Sequence, residues 1–267
     1  LAATIYPEAL TADETQLADD QQLDKIDLRV PFKFVKRARV VRSRLDDFEH
    51  GSLVLELDRP MAALSSLDGP RSDVRAIVNH GLHTAAWHEI HATGPDAMAA
   101  RICGVLGLET DSTSVLHTGA RIDNLAMGKA RHGELTAVAL VTAGVQSNAM
   151  RAGTDEGPWV EPGTINIVLM TNRKLTPRAM VRAVIAATEA KTAALQDLDI
   201  RSSYTSSAQA TGTGTDNIVV LEGAGPRADN TGGHSKLGEL ITAAVYEAVG
   251  AAVAKQNALT AKRHVIH

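Results

Sequence analysis

The sequence predicts an α/β protein: a layered single domain whose buried mixed sheet is covered by helices. Three observations lead there. Apolar runs at 134–145, 163–171 and 217–222 read as strands, the first of them continuous and buried on both faces. Between and after them, 95–106, 176–196 and 235–254 carry apolar residues at helical spacing. A chain of 267 residues with 44% apolar content is long enough to bury a sizeable core. Aromatics make up only 3%, so Ala, Val, Leu and Ile must fill that core. The expected organisation is an arm over 1–30, a domain over 31–255 and a tail over 256–267.

In chain order, the polar arm contains Asp13-Glu14 and Asp19-Asp20. Basic and apolar residues alternate over 32–42 and suggest a half-exposed strand. Leu53, Leu55 and Leu57 alternate in a second strand, with a hairpin turn expected at Asp46-Asp47. Residues 61–91 read as a polar segment or loop holding four histidines, His80, His83, His88 and His91. His88 and His91 have a spacing that could ligate a metal on a helix. They do not match the zinc-protease pattern, and no bound metal is expected. Pro95-Asp96 opens a helix that Gly107 ends. Residues 115–133 show a weaker helical pattern. Thr176-Pro177 starts a helix whose expected face is Val181, Val184, Ile185 and Thr188. Ser235 caps the last helix, whose stripe runs from Leu237 to Val253, with fraying expected after about 255.

Composition excludes several function classes. A net charge of −4 gives no footprint for nucleic acid, and few aromatics leave little to stack bases on. Cys103 is alone, so there is no intrachain disulfide framework. No run is expected to reach membrane-spanning length. A cytoplasmic location is the expectation, with export left open by a chain that begins at Leu1. A homo-oligomer is left open.

Candidate chemistry gathers in small, polar segments at strand ends and helix starts: 142–151, 163–166, 210–217 and 231–236. In Ala210-Thr-Gly-Thr-Gly-Thr-Asp-Asn217 the glycines let a ligand approach the main chain. Neither a phosphate loop nor a dinucleotide fingerprint is present: the Gly pair precedes its strand, and Lys236 is followed by neither Ser nor Thr. Amide hydrolysis fits better. Thr164, opening a strand after Gly163, is the candidate nucleophile or water-positioning residue. Asn166 and Asn148 are candidates for oxyanion or substrate contacts. Asp216, Glu189 and His234 are acid/base candidates. Ser147, Thr211, Thr213, Thr215 and Lys236 are candidate substrate contacts. For each alone, the simpler reading is a side chain that satisfies a turn.

Five segments stand in one order: Thr142-Ala-Gly-Val-Gln-Ser-Asn-Ala-Met-Arg-Ala-Gly153, Gly163-Thr-Ile-Asn-Ile167, Ala187-Thr-Glu-Ala-Lys-Thr-Ala-Ala-Leu195, Ala210-Thr-Gly-Thr-Gly-Thr-Asp216 and His234-Ser-Lys-Leu-Gly-Glu-Leu240. Together they resemble the adenosylcobinamide amidohydrolase family, over roughly residues 60–250. The resemblance implies a corrinoid salvage enzyme. It would cleave the amide between a corrin propionate and aminopropanol, giving adenosylcobyric acid. It implies no cofactor, because cobalt arrives with the corrinoid substrate. Two alternatives stand beside it. One is a non-catalytic corrinoid-binding protein in which His83, His88 or His91 ligates cobalt. The other follows the layout around Gly163-Thr164, which is similar to self-processing aminopeptidases and implies Thr164 as nucleophile.

Overall fold

The structure is a computed structural model that describes residues 21–45, 48–83, 94–157 and 163–264. Its strands are β1 (Gln21–Asp27), β2 (Val35–Leu45), β3 (Phe48–Ser65), β4 (Gly69–Gly81), β5 (Thr113–Thr118), β6 (Ala126–His132), β7 (Leu135–Ala143), β8 (Ile165–Thr171), β9 (Lys174–Leu175), β10 (Asn217–Leu221) and β11 (Arg227–Ala228). Its helices are α1 (Pro95–Leu106), α2 (Pro177–Asp197) and α3 (Lys236–His264). Nine strands form one curled mixed sheet in the order β1-β2-β3-β10-β8-β7-β6, with β4 on the other edge of β3 and β5 beyond it; β9 and β11 form a small separate pair. The fold is therefore the expected α/β domain.

β3 is what makes the sheet curl. Its first part pairs with β2, its last residues pair with β10, and β4 follows it on the far edge throughout. The register breaks between Glu56 and Met61, and Pro60 lies in that break, where a missing N–H interrupts no regular ladder. The two halves of the sheet then face each other. Leu53, Leu55 and Ile77 from one side meet Leu140, Val168 and Val219 from the other in a closed apolar interior. The outer face of β6, β7, β8 and β10 is covered by α2 and α3. The outer face of β2, β3, β4 and β5 is covered by α1, through Met98, Ile102, Cys103 and Leu106.

Helix signals in the sequence are met by real caps. Thr176 accepts a hydrogen bond from the Ala179 N–H, Gly107 closes α1 in the left-handed region, and the Ser235 hydroxyl accepts from the Gly238 N–H. The buried face of α2 is not the expected one. Val181 and Ile185 are 51% and 55% exposed, while Ala179, Ala183, Ala186, Ala187, Ala190 and Ala194 pack inward. The small stripe lets α2 lie close to both the sheet and α3, which outweighs the larger burial that Val and Ile would bring.

α3 runs on to His264 instead of fraying near 255. By length and composition alone, Lys236–Ala258 is long and apolar enough to cross a membrane, which corrects the expectation of no such run. However, 56% of its apolar window is buried in the fold, and residues Leu237 to Val253 of its stripe lie against the sheet and α2. Each fully buried Val, Leu or Ile there contributes about 1.5–3 kcal/mol.

Two stretches differ from expectation. Residues 115–133 hold β5, a short 3-10 turn at Ile122–Asn124 and β6 rather than a helix. Their apolar residues alternate, with Val115 facing α1 and Leu116 facing the interior. Much of the segment read as a polar loop is β4, with Ala76, Ile77 and Val78 buried. In the arm, 21–27 forms an edge strand on β2. The hairpin turn at Asp46-Asp47 and residues 84–93 lie outside the described residues.

Gly128 is where β6 meets α3. A Cβ there would lie 2.0 Å from the Ala244 carbonyl oxygen and 2.9 Å from the Ala248 nitrogen, both main-chain atoms that cannot swing away. Gly128→Val should therefore cost at least about 3 kcal/mol, read as a fall in the urea midpoint. A midpoint unchanged from wild type would contradict this packing.

Candidate functional site

The starts of β8 and β10 lie side by side, with Asn217 opposite Asn166 in parallel register. Strand alternation sends neighbouring side chains to opposite faces. Ile165 and Ile167 join the helix-side core, so Asn166 points into the interior. One residue before Asn217, Asp216 points toward α2. The same two segments thus build a clamp on one face and a polar seam on the other.

The clamp is Asp216 with Lys191 of α2. The two are in direct contact, with side-chain exposures of only 14% and 8%. Asp216 also accepts from the Ile165 N–H at 3.0 Å, the Thr213 N–H at 3.2 Å and the Thr213 hydroxyl at 2.6 Å. Its oxygens are therefore spent on holding the loop to the start of β8 and to α2. Gly212 must lack a side chain: a Cβ there would sit 2.3 Å from the Asp216 carboxylate and 2.6 Å from Lys191 Nζ. This accounts physically for one of the two glycines in the Thr/Gly loop. The other, Gly214, has φ +78° and is left-handed.

Next to the clamp, a main-chain carbonyl is gripped from two sides. The Gly163 carbonyl oxygen accepts from Asn148 Nδ2 at 2.9 Å and from the Thr215 hydroxyl at 2.9 Å. Asn148 Nδ2 also donates to the Thr213 carbonyl at 3.0 Å, and its Oδ1 accepts from the Tyr204 hydroxyl. The Thr164 hydroxyl, on the residue that follows the gripped carbonyl, donates to the Thr215 carbonyl. Gly163 is also sterically required, since a Cβ would lie 2.9 Å from the Gly144 carbonyl oxygen.

On the interior face, the seam closes the end of the curled sheet. Asn166 Nδ2 donates to Asn79 Oδ1 at 2.8 Å and to the His117 carbonyl at 2.9 Å, while Asn79 Nδ2 donates to the Thr142 hydroxyl at 2.9 Å. Among the described residues β5 pairs only with β4, so its other edge would leave buried carbonyls bare. Asn166 answers that need. Asn217 extends the seam outward, donating to the Thr215 carbonyl at 3.0 Å and accepting from the Ser66 hydroxyl at 3.1 Å.

The structure brings together Thr164, Asn166, Asn148, Thr213, Thr215 and Asp216. Thr213 is buried and spent on Asp216, whereas Thr215 is exposed at the rim. Thr211 ties the loop to 150–152, accepting from the Ala152 N–H at 2.9 Å. Ser147 is half-buried in the adjoining turn. Glu189 is exposed on the outer side of α2, away from the clamp, because the buried stripe is one of alanines. His234 and Lys236 lie apart from this group. Their turn is tied to the start of α2, where Thr231 donates to the Ala179 carbonyl, and roughly 18 Å of helix separates Ala179 from Lys191. Lys236 pairs with Glu239 instead. His88 and His91 lie outside the described residues, and His83 stacks on Phe48 at 4.0 Å. Among the described residues, no three His, Cys, Asp or Glu side chains are grouped to hold one metal ion.

Sequence reasoning gave no role to Lys191, Asn79 or Tyr204. Lys191 had one available signal, a lysine in phase with the alanine stripe of a helix. Tyr204 had none.

A sequence profile of the adenosylcobinamide amidohydrolase family matches residues 31–261. The chain belongs to that family. An uncharacterised protein of Methanocaldococcus jannaschii is 38% identical over 227 residues, covering 78% of this chain and 88% of its own length. A crystal structure of the PH0078 protein from Pyrococcus horikoshii OT3 overlaps 91% of this chain and 86% of its own, with 13% identity and a TM-score of 0.43, too distant to carry an argument. At the level of the family, that name implies hydrolysis of an amide bond.

Removing one partner of the nearly buried clamp strands a charge. Lys191→Met and Asp216→Asn should each cost about 3–5 kcal/mol, measured by chemical unfolding. The double variant should cost clearly less than the sum, because the second removal strands nothing further. Additive losses would mean that the two residues do not act as a pair.

Proposed function

We propose that the protein hydrolyses the amide joining a propionate side chain of adenosylcobinamide to aminopropanol, releasing adenosylcobyric acid. Membership of the family supports the substrate class. One structural observation supports the location: Asn148 Nδ2 and the Thr215 hydroxyl already grip an amide carbonyl, that of Gly163, beside the Thr164 hydroxyl. Two donors converging on one carbonyl oxygen are what a tetrahedral oxyanion requires. In this reading the substrate's amide carbonyl takes the place of Gly163's in that grip. A water positioned by Thr164 adds to the carbonyl carbon and gives up a proton, the carbon–nitrogen bond breaks, and aminopropanol leaves carrying that proton. If the Thr164 hydroxyl adds instead, its proton goes to the departing amine, and a water then hydrolyses the Thr164 ester to free the acid.

Asp216 serves as a positioning residue, because its oxygens are spent on the clamp and on the N–H of Ile165. Asn217, at the outer end of the seam, pairs with the corrin's peripheral amides, and Ser147 extends that rim. Cobalt enters as part of the substrate.

The same grip favours a second reading. The carbonyl held by Asn148 and Thr215 is the one that immediately precedes Thr164, the arrangement in which a hydroxyl can attack its own preceding carbonyl. In that reading the chain cuts itself between Gly163 and Thr164, and the freed Thr164 is the nucleophile of the mature enzyme.

Incubation with adenosylcobinamide should yield adenosylcobyric acid, followed by chromatography. Thr164→Ala should abolish turnover while corrinoid still binds, and Asn148→Ala should lower turnover by about 10²–10³-fold. No product at any pH from mild acid to mild base would end the enzyme claim for this substrate. Retained corrinoid colour without hydrolysis would favour a carrier.

A denaturing gel of the purified protein distinguishes the two modes. An intact chain that turns over supports direct hydrolysis. Two pieces, with Thr164 as the new N-terminal residue, support self-processing.

A further inference from the structure

On the opposite face of β4 from Asn79, three histidines lie in a row across adjacent strands. His50 is on β3, His80 on β4 and His117 on β5, and His80 and His117 are direct partners in the β4–β5 register. His50 and His80 are buried, with rings stacked at 5.0 Å. A face that otherwise packs Val54, Val78 and Val115 against α1 has no packing reason for imidazoles.

Each ring has one nitrogen held by a fixed partner. His50 Nδ1 lies 3.0 Å from the Gly81 carbonyl, to which it must donate. His80 Nδ1 lies 2.7 Å from the Ser52 hydroxyl. His117 bonds the Pro95 carbonyl at the start of α1. The other nitrogens of the register pair are orphans: His80 Nε2 and His117 Nδ1 are buried and have no hydrogen-bond partner. Because a carbonyl only accepts, the proton of His117 is on Nε2 and its orphaned Nδ1 presents a bare electron pair. His80 can do the same by donating from Nδ1 to Ser52. Burial disfavours the charged form of both rings.

Buried polar atoms without partners call for an explanation, and an unseen ion is one of the few. Imidazole that ligates a metal typically donates its other N–H to a carbonyl or similar group, which fixes ring and tautomer. Both members of the pair show that arrangement. We propose that His80 and His117 form a two-histidine seat for a divalent transition metal of zinc type, held through His80 Nε2 and His117 Nδ1.

No third protein ligand is grouped with them among the described residues, so water fills the remaining positions. Imidazole pairs favour zinc, nickel and copper over magnesium or calcium. The seat lies on the α1 side of β4, and the amide site lies across the interior face. The ion therefore ties β4, β5 and the start of α1 together, and the proposal does not rest on the function proposed above.

The test uses the full chain, stripped with a chelator and dialysed. Zinc titrated by calorimetry should bind at one equivalent per chain, and the thermal midpoint should climb with zinc concentration, since only the folded state has the seat. Cobalt(II) in its place should give a visible d–d band. Magnesium should do neither. His80→Gln and His117→Gln should each weaken zinc binding by at least tenfold and remove the midpoint shift. If either variant fails to fold, the wild-type cobalt spectrum decides, since it must report nitrogen ligation. Wild-type protein that shows no uptake and no midpoint shift in millimolar zinc overturns the seat, as does undiminished binding in the two folded variants.

Discussion

The Lys191–Asp216 contact is the constraint that the site depends on. One carboxylate receives a helix lysine, the first N–H of β8 and both donors of Thr213. It therefore fixes three elements far apart in sequence. A nearly buried ion pair brings little net stability over an apolar pair, but losing either half is costly. What it supplies here is geometry. With Asp216 held, Thr213 and Thr215 are held, and the grip on the Gly163 carbonyl follows. The Gly212 backbone can run against the pair only because it has no side chain.

A second constraint is the free edge of β5. A curled sheet leaves strand ends that no ladder satisfies, and here the missing partners are side-chain amides. Asn166 fills that role for the His117 carbonyl, and Asn79 and Thr142 complete the network around it. Asn166 is thus a closure of the sheet as well as a neighbour of the proposed chemistry. Fully satisfied, such a network specifies one arrangement of the two sheet halves, which apolar packing alone would leave free to slide.

The scarcity of aromatics shapes both faces. Where a large ring would space layers apart, alanines on α2 and Gly128 on β6 bring helices and strands close together. Close layers leave little room for error, and polar side chains that enter them must be paired. Lys191, Asn166 and Asn148 all are. Beneath α1, by contrast, the ring nitrogens His80 Nε2 and His117 Nδ1 are buried without a hydrogen-bond partner.

The sequence by itself determined the buried strands at β7, β8 and β10, the caps at Thr176, Gly107 and Ser235, and the family. These are written in local patterns: apolar runs, Ser/Thr and Gly at helix ends, and short motifs whose order survives in the chain. It also marked Thr164, Asn166, Asn148 and the Thr/Gly loop, because small polar residues at strand ends are unusual without a task. Tertiary structure decided what no local pattern contains. It chose the alanine face of α2 over its Val/Ile face, because close packing against two layers favours small side chains there. It turned 115–133 into strands, because alternation and helical spacing overlap over short apolar runs. It sent His234 and Lys236 to the far end of α2, because direction along a helix is invisible to a motif. And it gave Asp216 to Lys191, because the parity of a strand places a residue on one face or the other, while only the packed helix says what waits there.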